Sequence, residues 1–185
     1  ALPDHKGYFR PHYTETYGLA VFVKNGLEVE QEDEYFVHQY KGYIPDGTVG
    51  KHARNVQVIV LKTRKGKLNI FNFHGLWNGS GKTDTDDRLN QSKKIAEYIN
   101  RFKGAKILCG DFNLEPQTES IKMVESLPMR NLIKEYKITS TRTSYYTKDI
   151  RFADYMFVND QIEVKDFQVL EDEVSDHAAL LLDFE

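Results

Sequence analysis

Two alternating segments joined by a short turn constrain the fold of this chain most. Asn55–Thr63 (NVQVIVLKT) and Lys67–His74 (KLNIFNFH) alternate apolar and polar side chains, and Arg64–Gly66 forms the turn between them. Because a strand turns successive side chains to opposite faces, each segment buries one face against a core. The two segments therefore predict an antiparallel hairpin with His74 at the end of its second strand.

A short apolar run is the second strong constraint. Ala105–Cys109 (AKILC) has the length and composition of a strand buried on both faces, and it leads directly into Gly110–Asn113 (GDFN). The remaining predicted elements are helices from a cap at Thr85 or Asp86 through Phe102 and within Thr118–Leu127, a loop at Gly75–Asp84, and strands at Leu19–Val23, Tyr35–Tyr40, Thr143–Thr147, Phe152–Val158, Ile162–Val169 and Ala178–Phe184.

The mixture of strands, helices and an antiparallel hairpin predicts an α+β fold. Two packed sheets covered by helices account for this pattern better than a purely parallel doubly wound sheet. The length of 185 residues predicts one domain spanning residues 1–185. The sequence contains no run of about eighteen apolar residues, and residues 1–20 lack an apolar stretch, so neither a transmembrane segment nor a signal peptide is predicted.

Charge and cysteine content bear on partners and compartment. The formal net charge is −3, from 25 basic and 28 acidic residues, unlike the strongly basic proteins that bind nucleic acid mainly by neutralising phosphates. Nucleic acid nevertheless stays among the candidate substrates. Cys109 is the single cysteine and has no partner for a disulfide within the chain, which permits a reducing compartment and favours the cytoplasm.

Polar side chains are concentrated where the predicted strands begin or end. Such residues are held by the core and project into loops, which is the usual place for a catalytic group. Four separate strand ends can converge on one cleft. The residues concerned are His74, Asp111, Asn113, Asp154, Asp176 and His177.

Each of these residues has a simpler structural interpretation. Asp111 and Asn113 could form an Asx turn that closes a strand, and His74 could be a surface histidine. The alternative for Ser175–His177 is a cap beside an exposed histidine. Asp154 lies inside an apolar strand and needs a partner, because an unpaired buried carboxylate is costly. That partner is either a catalytic histidine or a cation such as Arg151.

Two further patterns do not predict a catalytic or binding residue. Arg88 and Gln91 share a face at the start of the predicted helix and are expected to bind loop backbone. Lys82 lies in Gly79–Thr83 (GSGKT), which superficially suggests a phosphate loop. The pattern fails because its first glycine is replaced by Leu76 and no strand enters directly.

The order and spacing of these motifs together resemble the endonuclease/exonuclease/phosphatase superfamily, the DNase-I-like fold. The resemblance covers roughly Tyr17 to Glu185 and implies a four-layer sandwich of two mixed sheets flanked by helices. The motifs are His74 after a strand, Arg88 with Gln91, Gly110–Asn113, Asp154–Tyr155 in a strand, and the terminal Ser175–His177.

The resemblance also implies a metal-dependent phosphoester hydrolase, with phosphodiesters as the expected substrates and Mg²⁺ or Mn²⁺ as cofactor. In-line attack on phosphorus depends mainly on positioning and on neutralising spread negative charge. The implied roles are His177 as the imidazole acting on water or on the phosphoryl group, Asp154 orienting it, Asp111 positioning water or binding metal, Asp176 as a metal carboxylate, and Asn113 and His74 holding phosphoryl oxygens.

One departure from the family pattern affects the metal site. Family members begin with a strand bearing an Asn and continue to a strand ending in Gln-Glu, whose Glu is a principal magnesium ligand. No such strand precedes Tyr17, and Ala1 stands in place of an initiating Met. We therefore expect a partial domain lacking the N-terminal strands, with an upstream segment or a complementary chain supplying that carboxylate.

Two function classes follow from this reasoning. The leading hypothesis is the hydrolase, with His177 oriented by Asp154. The alternative is a catalytically silent phosphate-binding or interaction module that lacks the main metal-ligand Glu. A generic α/β interaction domain ranks last, because it requires all the motifs to coincide by accident. DNA, RNA, inositol phosphates, phospholipids and small nucleotides all remain open as substrates, since fold does not fix function.

Overall fold

The computed structural model describes residues 2–46 and 51–185. Ala1 lies outside the described residues. The elements are strands β1 (His5–Thr14), β2 (Tyr17–Lys24), β3 (Glu28–His38), β4 (Arg54–Thr63), β5 (Gly66–His74), β6 (Ala105–Asp111), β7 (Met129–Asn131), β8 (Asp154–Asn159), β9 (Val164–Val169) and β10 (Leu180–Phe184), and helices α1 (Asp86–Ile99), α2 (Glu119–Glu125) and α3 (Leu132–Glu135).

A six-stranded mixed sheet in the order β3-β4-β5-β6-β8-β7 forms the centre of the fold. The predicted hairpin is confirmed as β4 and β5, which pair antiparallel up to Thr63 and Gly66. The predicted buried strand is β6, which pairs parallel with β5. A parallel neighbour requires a crossover, and α1 lies in the connection between these two strands.

Helices pack on one face of this sheet and a hairpin on the other. From α1 and its C-terminal extension, the rings of Tyr98 and Phe102 pack edge-on against Phe71, with centroids 6.2 and 5.1 Å away. The next side chain, Asn72, points to the opposite face and donates from Nδ2 to the carbonyl oxygen of Ala20 in β2 (3.2 Å). Successive side chains of β5 thus face the helices and the hairpin in turn.

These layers form the expected α+β sandwich. Its second sheet is represented, in the part of the chain that the structure describes, by the two-stranded pairs β1-β2 and β9-β10. Leu180, Leu182 and Phe184 of β10 pack against the main core. No helix among residues 2–46 and 51–185 has the length and hydrophobicity needed to cross a bilayer.

Two regions differ from the sequence prediction. β1 was not predicted, because it contains the strand-breaking residues Gly7 and Pro11. Among the described residues it pairs with β2 alone, and an edge strand tolerates proline. The strand predicted at Thr143–Thr147 is wrong. Side-chain bonds hold this segment to the loop before β10 instead, as Ser144 Oγ donates to Glu173 Oε2 (2.9 Å).

Smaller differences concern element ends. α1 ends at Ile99 rather than Phe102, and Thr85 is its N-cap as predicted, accepting from the backbone N–H of Arg88. The short elements β7 and α3 were not predicted. Three- and four-residue elements carry too little periodicity to be recognised from sequence.

The sheet brings the predicted polar residues to one edge. His74 at the end of β5 pairs across the sheet with Asp111 at the end of β6, and Asp111 pairs with Asp154 at the start of β8. Gly110 allows this close approach. A Cβ at that position would lie 1.9 Å from the carbonyl oxygen of Phe73, and the backbone φ of +139° also favours glycine.

Candidate active site

His177 and Asp154 make direct contact. Nδ1 of His177 donates to Asp154 Oδ2 at 2.8 Å and lies 3.0 Å from Oδ1. The loop before β10 is fixed by a bridge between Arg142 and His177 and by the His177 backbone N–H, which donates to Ser175 Oγ (3.1 Å). The predicted contact is confirmed, and His177 rather than Arg151 is the partner of the Asp154 carboxylate.

The hydrogen bond to Asp154 is the main influence on the imidazole. It raises the pKa of His177 above its usual value, while partial burial acts in the opposite direction. Because the carboxylate occupies Nδ1, the ring presents Nε2 towards Asp111, whose Oδ2 lies 3.8 Å away. The arrangement fixes one ring nitrogen and leaves the other to take or give a proton.

Asp111 lies between two histidines. Its Oδ2 is 3.7 Å from Nε2 of His74 and 3.8 Å from Nε2 of His177. Burial, followed by repulsion from Asp154, raises the pKa of Asp111 to about 6. A carboxylate that titrates near neutrality can hold a water molecule and exchange a proton with it.

The other oxygen of Asp111 has a structural role. Oδ1 accepts from the backbone N–H of Asn113 (2.7 Å), so the Asx turn considered as the simpler interpretation does form. Asn113 adopts a left-handed φ of +54°, and its Nδ2 donates to the carbonyl oxygen of Gly75 (3.2 Å). One of its two amide hydrogens thus braces the loop after β5. Phosphate binding by Asn113 stays a prediction.

Asp176 is paired with a buried cation. Nη1 of Arg142 donates to Asp176 Oδ2 at 2.9 Å, and the guanidinium lies over the ring of Tyr146 at 4.2 Å. The negative charge of Asp176 is therefore already balanced by a side chain that the sequence reasoning did not identify. Arg142 carries no recognisable motif, and only the packing of the loops brings it here.

The donor set for a metal ion is incomplete. Magnesium prefers near-octahedral oxygen coordination and commonly uses one or two carboxylates together with substrate phosphate. Within residues 2–46 and 51–185, no group of three or more His, Cys, Asp or Glu side chains is arranged to hold a metal ion. Asp111 and Asp176 are present, but Asp176 is paired with Arg142. These described residues alone do not make a magnesium site.

Lys82 is a second cation that sequence reasoning missed. Only 2% of the residue is exposed, and Nζ donates to the carbonyl oxygen of Phe152 at 2.9 Å, just before Asp154. Burial and the charge of Arg142 lower the pKa of Lys82 to about 8, although Asp111 and Asp154 act in the opposite direction. The available signal was the GSGKT pattern at Gly79–Thr83, which was given no weight because the phosphate-loop spacing fails.

The structural assignment of Arg88 and Gln91 is confirmed. Arg88 donates from Nε to the carbonyl oxygen of Leu76 (3.1 Å), and Gln91 Oε1 accepts from the backbone N–H of Leu76 (3.0 Å). The loop after His74 is therefore anchored on α1. The same loop carries Asp84, which accepts from the first backbone N–H groups of α2.

His74 lies in a different electrostatic environment from His177. Burial, followed by the charge of Arg54, lowers the pKa of His74 to about 2. Its approach to Asp111 is therefore not an ion pair at neutral pH, although the two side chains lie 3.7 Å apart. A neutral imidazole can serve as a hydrogen-bonding group towards substrate.

The profile of the Endonuclease/Exonuclease/phosphatase family matches residues 1–177. The chain belongs to this family. Its members are hydrolases that act on phosphoesters. The match includes the β4-β5 hairpin, the Asp111 turn and the His177–Asp154 pair. A sequence comparison with curated proteins gave no significant match.

Solved structures of endonuclease/exonuclease/phosphatase proteins share this fold. The mannosyl-6-phosphatase of Bacteroides thetaiotaomicron is similar with a TM-score of 0.80 and 17% identity, over 100% of this chain and 78% of that one. The human Nocturnin catalytic domain with bound sulfate gives 0.73 and 19%, over 99% and 73%. TDP2 of D. rerio with a single-strand DNA product gives 0.72 and 12%, over 99% and 78%. The DNase-I-like fold class is thus established.

Proposed function

We propose that this chain carries the catalytic imidazole of a divalent-metal-dependent phosphoester hydrolase, with phosphodiesters as the expected substrates. The observation that carries the proposal is the contact of His177 with both oxygens of Asp154, beside a second carboxylate at Asp111. A surface histidine with a structural role has no need of two converging carboxylates, whereas an imidazole that moves protons is stabilised by them.

In the proposed reaction, water attacks phosphorus in line with the leaving oxygen. Asp154 holds the tautomer of His177 in which Nε2 faces the substrate, and Nε2 either takes a proton from the water or donates to a phosphoryl oxygen. Asp111 positions the water through Oδ2, because its Oδ1 is fixed by the Asn113 backbone N–H. His74 and Asn113 are proposed to hold phosphoryl oxygens.

Two cations suit the charge that develops on the phosphoryl group. Lys82 is buried and the Arg142 side chain is only 3% exposed, and both lie close enough to lower the pKa values of their neighbours. Fixed charges in a site with little water stabilise a spreading negative charge more strongly than they would in bulk solvent. We propose that they contribute to the electrostatic environment of the reaction.

Mg²⁺ or Mn²⁺ is the proposed cofactor. A bound divalent ion polarises phosphoryl oxygens and neutralises their charge. Asp176 and Asp111 are the proposed metal carboxylates, but these two residues alone do not complete the coordination of the ion. The proposal requires a further carboxylate, from an upstream segment or a complementary chain.

A catalytically silent phosphate-binding module is the second candidate. The pairing of Asp176 with Arg142 favours it, because a carboxylate already engaged by a guanidinium is a poor metal ligand.

The structural neighbours include a sugar phosphatase and a protein bound to a DNA product, so the substrate class stays open between phosphomonoesters and nucleic acid.

The test is a phosphoesterase assay with Mg²⁺ or Mn²⁺. The panel comprises p-nitrophenyl phosphate, bis(p-nitrophenyl) phosphate, a single-stranded oligonucleotide and an inositol phosphate. The 185-residue chain and the full-length product of its gene are assayed in parallel, each with the matched variant H177A. Metal-dependent turnover that H177A abolishes supports the hydrolase. Phosphate binding without turnover in both versions supports the silent module.

Calorimetric titration with Mg²⁺ tests the metal assignment separately. We expect weak binding by the 185-residue chain, because the described carboxylates make an incomplete site. D176N should weaken the binding further. Tight binding and full activity of the 185-residue chain would show that its own residues complete the site.

A further inference from the structure

A second polar cluster lies beside His74. We call Arg54, His12 and His52 the basic cluster. Only 2% of Arg54 is exposed, and its Nε and Nη1 have no acceptor among the residues that the structure describes. The family-like motifs do not include any of these three residues, and the proposed chemistry does not use them.

The basic cluster is continuous with the active site through His74. The ring centroid of His12 lies 5.9 Å from that of His74 and 6.2 Å from that of His52. Nδ1 of His12 is bonded to Asn55 Oδ1, while Nε2 of His12 and of His52 have no partner in the described part of the chain. Three side chains thus present unpartnered polar atoms in one place.

Tyrosine rings enclose the basic cluster. Tyr13 lies 4.1 Å from the ring of His52, and Tyr17 lies 5.3 Å from His52 and 6.4 Å from His74. Water is thereby restricted around the guanidinium. Burial lowers the pKa of Arg54, with Tyr17 and Asp111 acting in the opposite direction.

The charge of the cluster selects the kind of ligand. Burial, followed by the charge of Arg54, lowers the pKa values of His12 and His52 to about 4, so both imidazoles are neutral at pH 7. Arg54 is then the positively charged member of these three side chains. Its positive charge opposes the binding of a metal cation, although three histidines are near one another. An anion would instead supply the acceptors that the guanidinium lacks.

We propose that the basic cluster is a second phosphoryl subsite, which holds a phosphoryl group adjacent to the scissile one. The proposal rests on the proposed phosphoester hydrolase and narrows its substrates to molecules with two neighbouring phosphoryl groups. A guanidinium presents a planar fork of donors that matches phosphate oxygens. Because the His12 ring neighbours that of His74, the two phosphoryl groups would lie next to each other.

Direct binding measurements test the subsite without requiring turnover. The probes are inorganic diphosphate, a 5′-phosphorylated thymidine dinucleotide, inorganic phosphate and acetate, titrated by calorimetry against wild type and R54Q. We expect R54Q to weaken binding of diphosphate or of the dinucleotide by about 10- to 100-fold, the effect of losing a charge-assisted hydrogen bond. The probe whose affinity falls more in R54Q, diphosphate or the dinucleotide, identifies the source of the two phosphoryl groups. Acetate should bind weakly to both proteins.

Control variants separate this proposal from the proposed reaction. R130Q removes an exposed arginine on β7 and should bind both probes as wild type does. H177A should abolish turnover yet retain the phosphoryl binding, so a failed reaction and a failed subsite give different results. Unchanged affinity of R54Q for both probes would overturn the proposal. H52Q, expected to show a smaller loss, provides a second test should R54Q fail to fold.

Discussion

Two groups of side chains near Asp111, here called its two sides, differ in whether their buried polar atoms have hydrogen-bond partners. One side contains His177 and the other contains Arg54. On one side His177 is bonded to Asp154 and Arg142 to Asp176. On the other side Arg54 has nitrogen atoms that find no acceptor among the described residues. Paired groups are preorganised for chemistry, whereas unpaired ones have donors available for a ligand. The comparison separates a proposed reacting side from a proposed binding side.

The histidines on the two sides also titrate in opposite directions. The bond to Asp154 raises the pKa of His177, whereas burial and the charge of Arg54 lower the pKa of His74 to about 2. The residue type is the same and only the neighbours differ. One imidazole is thereby prepared to carry a proton and the other to stay neutral.

The largest effect is expected from D154N in the active protein. Loss of the carboxylate removes the charge that orients and stabilises the His177 imidazole, so turnover should fall roughly 10²- to 10⁴-fold with little change in KM. Steady-state kinetics measures both constants. D183N, which changes an exposed aspartate on β10, is the matched control. Equal loss in both variants would contradict a specific role for Asp154.

G110A tests the strand contact on which both sides depend. The added Cβ would meet the Phe73 carbonyl oxygen at 1.9 Å and separate β5 from β6, so we expect a loss of about 3 kcal/mol in the free energy of unfolding. Urea denaturation measures it. G26A is the control, since Gly26 also has positive φ but has nothing within 4 Å of the added Cβ. Similar losses would mean that backbone strain alone sets the cost.

Stability measurements on two arginine variants sharpen the comparison directly. R142Q breaks a pair with a half-exposed carboxylate and should cost about 1–2 kcal/mol of unfolding free energy. R54Q removes a buried charge that has unpartnered nitrogens. The free energy of unfolding should therefore stay unchanged or increase. Thermal and urea unfolding at pH 7 measure both. A greater loss in R54Q would show that the two sides are not distinguished by pairing.

The smallest effect is a shift in pH dependence. Because the folded-state pKa of His177 is raised, its contact with Asp154 stabilises the fold fully below pH 6.5, and that contribution is lost as pH rises through the raised pKa. D154N should remove this contribution and lower the pKa of His177. NMR titration of the His177 ring measures the shift, with His74 as the internal reference. A pKa unchanged in D154N would contradict the assignment.

Local sequence pattern determined the strands that form the sheet edge at His74, Asp111 and Asp154. The alternation of Asn55–Thr63 and Lys67–His74 predicted the β4-β5 hairpin, and the apolar run before Gly110 predicted β6, because side-chain period and burial are encoded residue by residue. A carboxylate at Asp154 inside an apolar strand required a partner. The apolar strand left that partner open between a histidine and Arg151, and the resemblance to the family pointed to His177.

Only the tertiary structure decided the surroundings of these residues. Local pattern assigns polar residues to the surface, yet the structure buries the side chains of Lys82, Arg142, Arg54 and His12. β1 contains a proline that argues against a strand. Their burial depends on loops and hairpins distant in sequence that pack over them. The His177–Asp154 pair could be predicted from the cost of an unpaired carboxylate in one strand together with the resemblance to the family. The buried cations could not be predicted, because the electrostatic environment of a side chain is the sum of everything that folds around it.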